Sequence, residues 1–353
     1  MTRTVAVAYL TFARSEIAMP RLPARALQKE IVTMPLWKRM LLRRLKFLAW
    51  VVAVLVIMIG GCYLFAPQWL LRANFAREAM AAHLEKHSVQ AGDTRWVYYE
   101  GGDGPTIVLL HGFADSKEVW LEVAKRLSPH FHLIIPDLPG WGESSRETGA
   151  NYNIDAQAIR LQAFVQTLGL QRFVLVGHSM GGAVAGVYAA EHPGHVAELA
   201  LVDAFGLKYK PNAFAREALA GKDPFLFSDH AGFARAAALA FDKPLDLPGR
   251  FVDVLIKRNQ RDSSFIKRIF NELREPSQYL AVQDRLGQLG MPVLGLWCRD
   301  DKVIDLSALD SLRNGLTHAS AISTSVINGC NHMPMLEKPQ QTAQILTGFA
   351  LSH

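Results

Sequence analysis

Phe173-Val174-Leu175-Val176-Gly177-His178-Ser179-Met180-Gly181-Gly182 is an apolar run that passes directly into Gly-x-Ser-x-Gly. Behind it, Met180 to His192 reads as a helix. Strand, sharp turn and helix in that order form the context in which a serine sits on strained backbone with its hydroxyl exposed. Residues two positions either side of such a serine must be nearly free of side chain. Gly177 and Gly181 meet that need, and Gly182 lets the helix close on the strand. Gly and Ser are common, so the pentapeptide gains its weight from partners in the right order.

A nucleophilic serine needs a base to take its proton and a third group to orient that base. With a serine on this kind of turn, the chain order is Ser, then Asp or Glu, then His. Downstream, Pro292-Val293-Leu294-Gly295-Leu296-Trp297 reads as a short strand running into Cys298-Arg299-Asp300-Asp301. Ser325-Val326-Ile327 reads as the last strand and ends in Gly329-Cys330-Asn331-His332-Met333-Pro334. Both ends lie on one rim of the sheet. Ser179 is therefore assigned as nucleophile, His332 as general base and then general acid, and Asp301 as the orienting carboxylate. Asp300 and Asp203, the latter at the end of an earlier strand, are the alternative acids. The oxyanion needs two backbone N–H donors. Met180, after the nucleophile, supplies one, and Phe113 supplies the other from His111-Gly112-Phe113, the loop after the strand Thr106-Ile107-Val108-Leu109-Leu110. His111 is expected to shape that loop by hydrogen bonding, since the role of base is already filled.

Together these residues resemble the α/β-hydrolase superfamily, over roughly residues 89 to 353. Asp137-Leu138-Pro139-Gly140-Trp141-Gly142-Glu143-Ser144, after the strand Leu133-Ile134-Ile135-Pro136, is similar to the superfamily's Asp-x-x-Gly-x-Gly-x-Ser loop. The resemblance implies a mostly parallel eight-stranded sheet with helices on both faces. Ser179 sets the chain apart from the dehalogenase and epoxide hydrolase branches, which carry aspartate at that position. A narrower similarity runs through Val176 to Ala190 and Trp297 to Asp305. With the anchor described next, it looks like the membrane-anchored monoacylglycerol lipases and related bacterial phospholipases A. Two positions depart from the pattern. Cys298 stands where Trp-Gly is usual, and Asn331 stands where Gly commonly precedes the histidine. Asn tolerates left-handed backbone nearly as well as Gly, so the loop is expected to survive.

Residues 47 to 66 are uncharged and mostly Val, Leu, Ile and Ala. As a helix they span about 30 Å, one hydrocarbon core. Lys38, Arg39, Arg43, Arg44 and Lys46 precede them, Trp50 and Trp69 lie near the two interfaces, and Pro67 ends the span. The positive-inside rule puts the N-terminus in the cytoplasm and the catalytic domain outside it, which for a bacterial inner membrane means the periplasm. Residues 1 to 46 hold ten Lys/Arg and two Asp/Glu, or +8, leaving 28 and 30, or −2, for the rest. The basic character thus belongs to the cytoplasmic flank and marks no nucleic-acid face. Ile59-Gly60-Gly61-Cys62 approximates a lipobox with Cys62 as the lipidated residue, but the apolar Tyr63-Leu64-Phe65 that follows favours an uncleaved anchor. Residues 1 to 33 show no period, and Met34 is an alternative start. Residues 67 to 88, with Leu71, Phe75, Met80 and Leu84, read as a juxtamembrane helix, either packed on the domain or lying in the interface. A homodimer through the anchor stays open, without a repeated small-xxx-small stripe to drive it.

About ninety residues separate the strand Leu199-Ala200-Leu201-Val202 from Val293, where a bare crossover needs roughly a dozen. The excess, about residues 206 to 288, reads as a helical cap with helices over 212–220, 230–241, 248–257 and 264–273. Phe214, Phe225, Phe227, Phe233 and Phe241 suit an apolar roof. Of three cysteines, Cys62 lies in the span, while Cys298 and Cys330 follow two strands expected to be neighbours. In an oxidising compartment these two can pair and brace the acid and base loops, provided the Cα separation allows it. The whole reads as a membrane-anchored serine hydrolase of lipid esters: monoacylglycerol, lysophospholipid or phospholipid. Its partners are the lipid substrate, the fatty-acid product and the bilayer, and no metal or organic cofactor is implied. The rivals are a C–C bond hydrolase of ring-cleavage diketones, sharing the Ser-Met-Gly-Gly elbow, and a catalytically silent membrane binding protein.

Overall fold

A computed structural model describes residues 35–352; the readings of residues 1–33 and of Met34 as a start lie outside them. The described chain divides into two compact units between Gly61 and Cys62. Helix α1 spans Leu36–Phe65, and none of its residues is buried. It starts ahead of the uncharged span and takes in the basic flank, because Lys and Arg are good helix formers. Among the described residues it is the one helix long and apolar enough to cross a membrane.

In the second unit, α2 (Pro67–Ala81) packs on the domain through Phe75 and Ala79, while Trp69 and Met80 stay exposed. The helix expected over 67–88 therefore stops early. His83 turns the chain in a left-handed conformation (φ 54°). Leu84 begins β1 (Leu84–Ala91), which runs antiparallel against β2 (Thr94–Gly101). Alternation in Trp96-Val97-Tyr98-Tyr99 suits a strand covered on both faces better than it suits a helix.

The sheet continues through β3 (Thr106–Leu110), β4 (His132–Pro136), β5 (Phe173–His178), β6 (Val196–Val202), β7 (Val293–Cys298) and β8 (Ile322–Ile327). Its spatial order is β1-β2-β4-β3-β5-β6-β7-β8. Only β2 runs against its neighbours; β3 to β8 pair in parallel. Side chains alternate between two cores. Val108, Leu110, Leu175 and Leu201 pack against helices α4 (Ile154–Thr167) and α5 (Met180–Glu191). Ile107, Leu109, Val174 and Val176 pack against α3 (Leu121–Leu127) and the C-terminal helix Pro339–Ala350. Parallel strands buried on both faces read as unbroken apolar runs, which Ile107-Val108-Leu109-Leu110 illustrates.

The insertion after β6 holds α6 (Ala213–Leu219), α7 (His230–Ala240) and α8 (Gly249–Leu273). The break expected between 257 and 264 does not occur, and α8 is continuous. Its polar centre is anchored in place. Buried Asn259 accepts from the Phe227 N–H and donates to the Phe225 carbonyl, and Asp262 pairs with Arg146 and Arg261. No Gly or Pro interrupts it, so nothing stops the helix. The helix also packs on α2, and Tyr63 meets Phe251 edge-on at 5.9 Å.

Candidate active site

Ser179 alone makes the turn between β5 and α5. Its backbone lies at φ 51°, ψ −120°, a conformation that costs a side-chain-bearing residue roughly 1–3 kcal/mol. The turn is held by the Ser179 N–H donating to the Val202 carbonyl at 3.0 Å and by Gly182 and Phe205 N–H donating to the Ser179 carbonyl. A Cβ on Gly177 would lie 2.2 Å from the Gly181 carbonyl oxygen, and one on Gly181 would lie 2.3 Å from that of His111. Neither position has room for any residue but glycine.

Three strand ends converge there. His332 Nε2 lies 3.0 Å from Ser179 Oγ, and its Nδ1 lies 2.9 Å from Asp301 Oδ2. The other Asp301 oxygen accepts the N–H groups of Val303 (2.7 Å) and Ile304 (3.0 Å). Asp300 is exposed and makes none of these bonds. Asp203, the other alternative acid, is fully buried. It accepts the Cys298 N–H at 2.8 Å through Oδ1, while its buried Oδ2 has no hydrogen-bond partner. Burial pushes both carboxyls well above the usual range, and the Asp301 charge pushes Asp203 further. Neighbouring buried carboxyls disfavour each other's charge. The N–H donors of Val303 and Ile304 favour charge on Asp301, whereas Asp203 accepts only the Cys298 N–H.

A surrounding set of bonds fixes the loops. His178 Nε2–H donates to the His332 carbonyl at 2.7 Å, and burial keeps its imidazole neutral, well below the ordinary range. His111 shapes its loop as expected: Nδ1–H donates to the Gly112 carbonyl and Nε2 accepts the Leu138 N–H at 2.9 Å. Burial pushes His111 down to about 3. The Asp137–Ser144 motif proves to be a scaffold beneath these loops. Asp137 accepts the Lys117 N–H, the Lys117 ammonium at 2.7 Å and the Glu143 N–H. Gly142 is required because its Cβ would fall 2.1 Å from Asp137 Cγ.

Both departures from the family pattern are cross-links. Cys298 and Cys330 form a disulfide, with Cα atoms 5.3 Å apart. Asn331 is not left-handed; Gly329 takes that conformation (φ 65°). The Asn331 side chain instead accepts the Lys302 N–H at 2.8 Å and donates to the Phe241 carbonyl of the cap at 3.2 Å. The His332 N–H donates to the Ala240 carbonyl at the end of α7.

Ser179 opens into a cavity shared with Phe113 and Met180 and roofed by the cap. Of the five phenylalanines expected in the roof, Phe214 and Phe225 line it, whereas Phe227 and Phe233 pack on each other. Phe205, Tyr209, Phe270 and Tyr279 also line the wall. They were not foreseeable, because neither the loop after β6 that carries Phe205 and Tyr209 nor the helices that carry Phe270 and Tyr279 mark which way the rings point. Phe113 also packs edge-on against Trp141 at 5.3 Å, which steadies the loop carrying its N–H.

The profile of the alpha/beta hydrolase fold family matches residues 105–339, two thirds of the chain. The chain belongs to that family. Among relatives of this hydrolase, monoacylglycerol lipase ABHD6 of Mus musculus is 30% identical over 301 residues, covering 80% of this chain and 85% of the relative. Lipase 1 of Psychrobacter immobilis is 29% identical over 287 residues, covering 78% and 86%. Among solved structures, a membrane phospholipase A described as a bacterial virulence factor superposes with a TM-score of 0.76 at 33% identity. It covers 86% of this hydrolase and 97% of its own chain. The narrower similarity to monoacylglycerol lipases and phospholipases A is thus found in both sequence and structure.

Proposed function

We propose that this hydrolase is a membrane-anchored carboxylic ester hydrolase of lipids that works through an acyl-enzyme on Ser179. The observation that carries the reading is the continuous Asp301–His332–Ser179 hydrogen-bond chain opening into an almost wholly apolar cavity. His332 Nε2 takes the Ser179 proton as Oγ bonds to the ester carbonyl carbon. The resulting oxyanion is met by the Phe113 and Met180 N–H groups. The C–O bond breaks, and the leaving alcohol takes the proton from His332. Water then gives its proton to His332 and its hydroxyl to the acyl carbon, and Ser179 leaves with the proton back on Oγ. Asp301 accepts the Nδ1–H throughout, which holds the imidazole in the tautomer that presents Nε2 as base.

The names of the relatives support a glycerolipid ester as substrate. Helix α1 supports membrane attachment, with residues 1–46 as a cytoplasmic basic segment and the catalytic domain on the other side. The Cys298–Cys330 disulfide is in keeping with an oxidising compartment. The test is fatty-acid release from defined monoacylglycerol, lysophospholipid and diacyl phospholipid in mixed micelles, with Ser179→Ala as blank. Release that vanishes in the variant is expected, and the preferred lipid names the class. Fluorophosphonate labelling of Ser179 without release from any lipid would refute the substrate class and leave the nucleophile standing.

A further inference from the structure

One charged side chain reaches the wall of this otherwise apolar cavity: Arg274, just past the end of α8. Its partners are few. Nη1 donates to Asn271 Oδ1 at 2.8 Å, and Nη2 reaches the Leu219 carbonyl only at 3.5 Å. The Nε–H is buried and makes no hydrogen bond. Among the described residues no carboxylate pairs with it, whereas three arginines of α8 are paired: Arg250 with Asp253, Arg261 with Asp262, Arg268 with Glu272.

A guanidinium carries five donors in a fixed planar fork, and burying one of them unmade is unfavourable. Arg274 is half-buried, so water can meet its outer donors, but no protein counter-charge meets it where it lines the cavity. The fork suits two oxygens of one oxyanion, as a carboxylate or phosphate presents them. Resting on the lipid-ester reading above, we propose that Arg274 is the anion-recognition residue of the cavity and takes an oxyanion of the bound lipid. Two lipid-derived groups have that chemistry: the phosphodiester of a glycerophospholipid head group and the carboxylate of a released fatty acid. A neutral monoacylglycerol has neither and gains nothing from Arg274.

The experiment measures binding apart from turnover. Ser179→Ala protein, alone and with Arg274→Met or Arg274→Lys, is titrated calorimetrically in detergent with lysophosphatidylglycerol, the monoacylglycerol of the same chain, and dodecanoate. Loss of a charged hydrogen bond predicts a fall in affinity of about tenfold or more for the oxyanion ligand in Arg274→Met, with monoacylglycerol unchanged. Arg274→Lys keeps the charge, loses the fork and is expected to fall between; it also stands in should Arg274→Met fail to fold. Weakening of lysophosphatidylglycerol alone assigns the head-group phosphate, and weakening of dodecanoate alone assigns the product carboxylate. Unchanged affinities, or an equal loss for all three ligands, would overturn the proposal, the second outcome marking a purely structural arginine. Selective binding with no ester cleavage by the unmutated enzyme would defeat the hydrolase reading and leave Arg274 as an anion site.

Discussion

Removing the Cys298–Cys330 bridge is expected to cost this protein about 3.7 kcal/mol, and the figure follows from the chain length it closes. The cysteines are 32 residues apart in sequence. The loop-closure entropy withheld from the unfolded chain is about 2.1 + 1.5R ln n, or roughly 12.5 cal/mol/K for a loop of that size, which at 25 °C gives the figure above. Reduction isolates this contribution, since it leaves every heavy atom present; Cys298→Ala with Cys330→Ala also removes two fully buried sulfurs and is expected to cost more. With an m-value near 3 kcal/mol/M, the urea midpoint of the full chain in detergent should fall on the order of 1 M. Activity should fall first, because Asp301 follows Cys298 by three positions and His332 follows Cys330 by two. The companion measurement is thiol labelling of the unfolded, unreduced protein, in which only Cys62 should react. Coincident urea midpoints with and without reductant would refute the entropic argument, and labelling of all three cysteines would refute the bridge itself.

Asp203→Asn should keep activity and leave the acid limb of kcat/KM in place, because burial and the neighbouring Asp301 charge favour a neutral Asp203. A shift of that limb to lower pH would mean that Asp203 is ionised in the free enzyme, since removing a negative charge destabilises the His332 imidazolium. Asp203→Ala strands the buried Cys298 N–H and should destabilise the fold by about 1–3 kcal/mol in thermal unfolding. The acid limb reports loss of the neutral His332: burial opposes its protonation, and the Asp301 and Glu337 carboxylates favour it. kcat/KM should therefore fall as pH drops through that group's titration, and a rate unchanged down to low pH would contradict His332 as the base. Lys117→Met leaves Asp137 buried without its cation and should cost about 3–5 kcal/mol, read as a lowered Tm; an unchanged Tm would refute the scaffold role of that pair.

How much of this was legible in the sequence depends on the range of the interaction that decides each feature. The elbow is local: Gly177, Ser179 and Gly181 are specified by contacts within one turn and its adjoining strand, and the motif announces them. The parallel strands announce themselves as unbroken apolar runs. Asp301 and His332 were legible through chain order, because each follows a strand onto the same rim. By contrast, α8 looked broken in sequence because the polar stretch around Asn259 has no local partner. Its partners are Phe225 and Phe227, more than thirty residues away. The same holds for β1. The pattern of Leu71, Phe75, Met80 and Leu84 suited a helix, but Leu84 instead pairs in register with Gly101, a contact no local period reveals. Arg274 was invisible for a further reason: an arginine at a helix end is ordinary, and only its place in the cavity wall without a paired carboxylate sets it apart.

The two departures from the family pattern bear on how His332, the proposed base, is held. His332 stands on a loop whose position must be right to a few tenths of an ångström for Nε2 to meet Ser179 Oγ, yet loops are the most mobile parts of a fold. Four tethers converge on two consecutive residues and their neighbour. The disulfide ties Cys330 to the end of β7, the Asn331 side chain ties the acid loop to Phe241, the His332 N–H bonds Ala240, and its carbonyl accepts from His178. Two of these tethers end on the cap. A displacement of α7 would therefore pull on the backbone of His332, and the cap is connected to the proposed triad as well as to the shape of the cavity. Glycine at 331 would leave the His332 N–H and carbonyl bonds in place but remove the link from Lys302 to Phe241. Asn331→Gly is thus the substitution that loosens the cap from the acid loop without touching Ser179, His332 or Asp301. Its expected signature is a lower kcat with retained fluorophosphonate labelling, and an unchanged kcat would show that the remaining three tethers suffice.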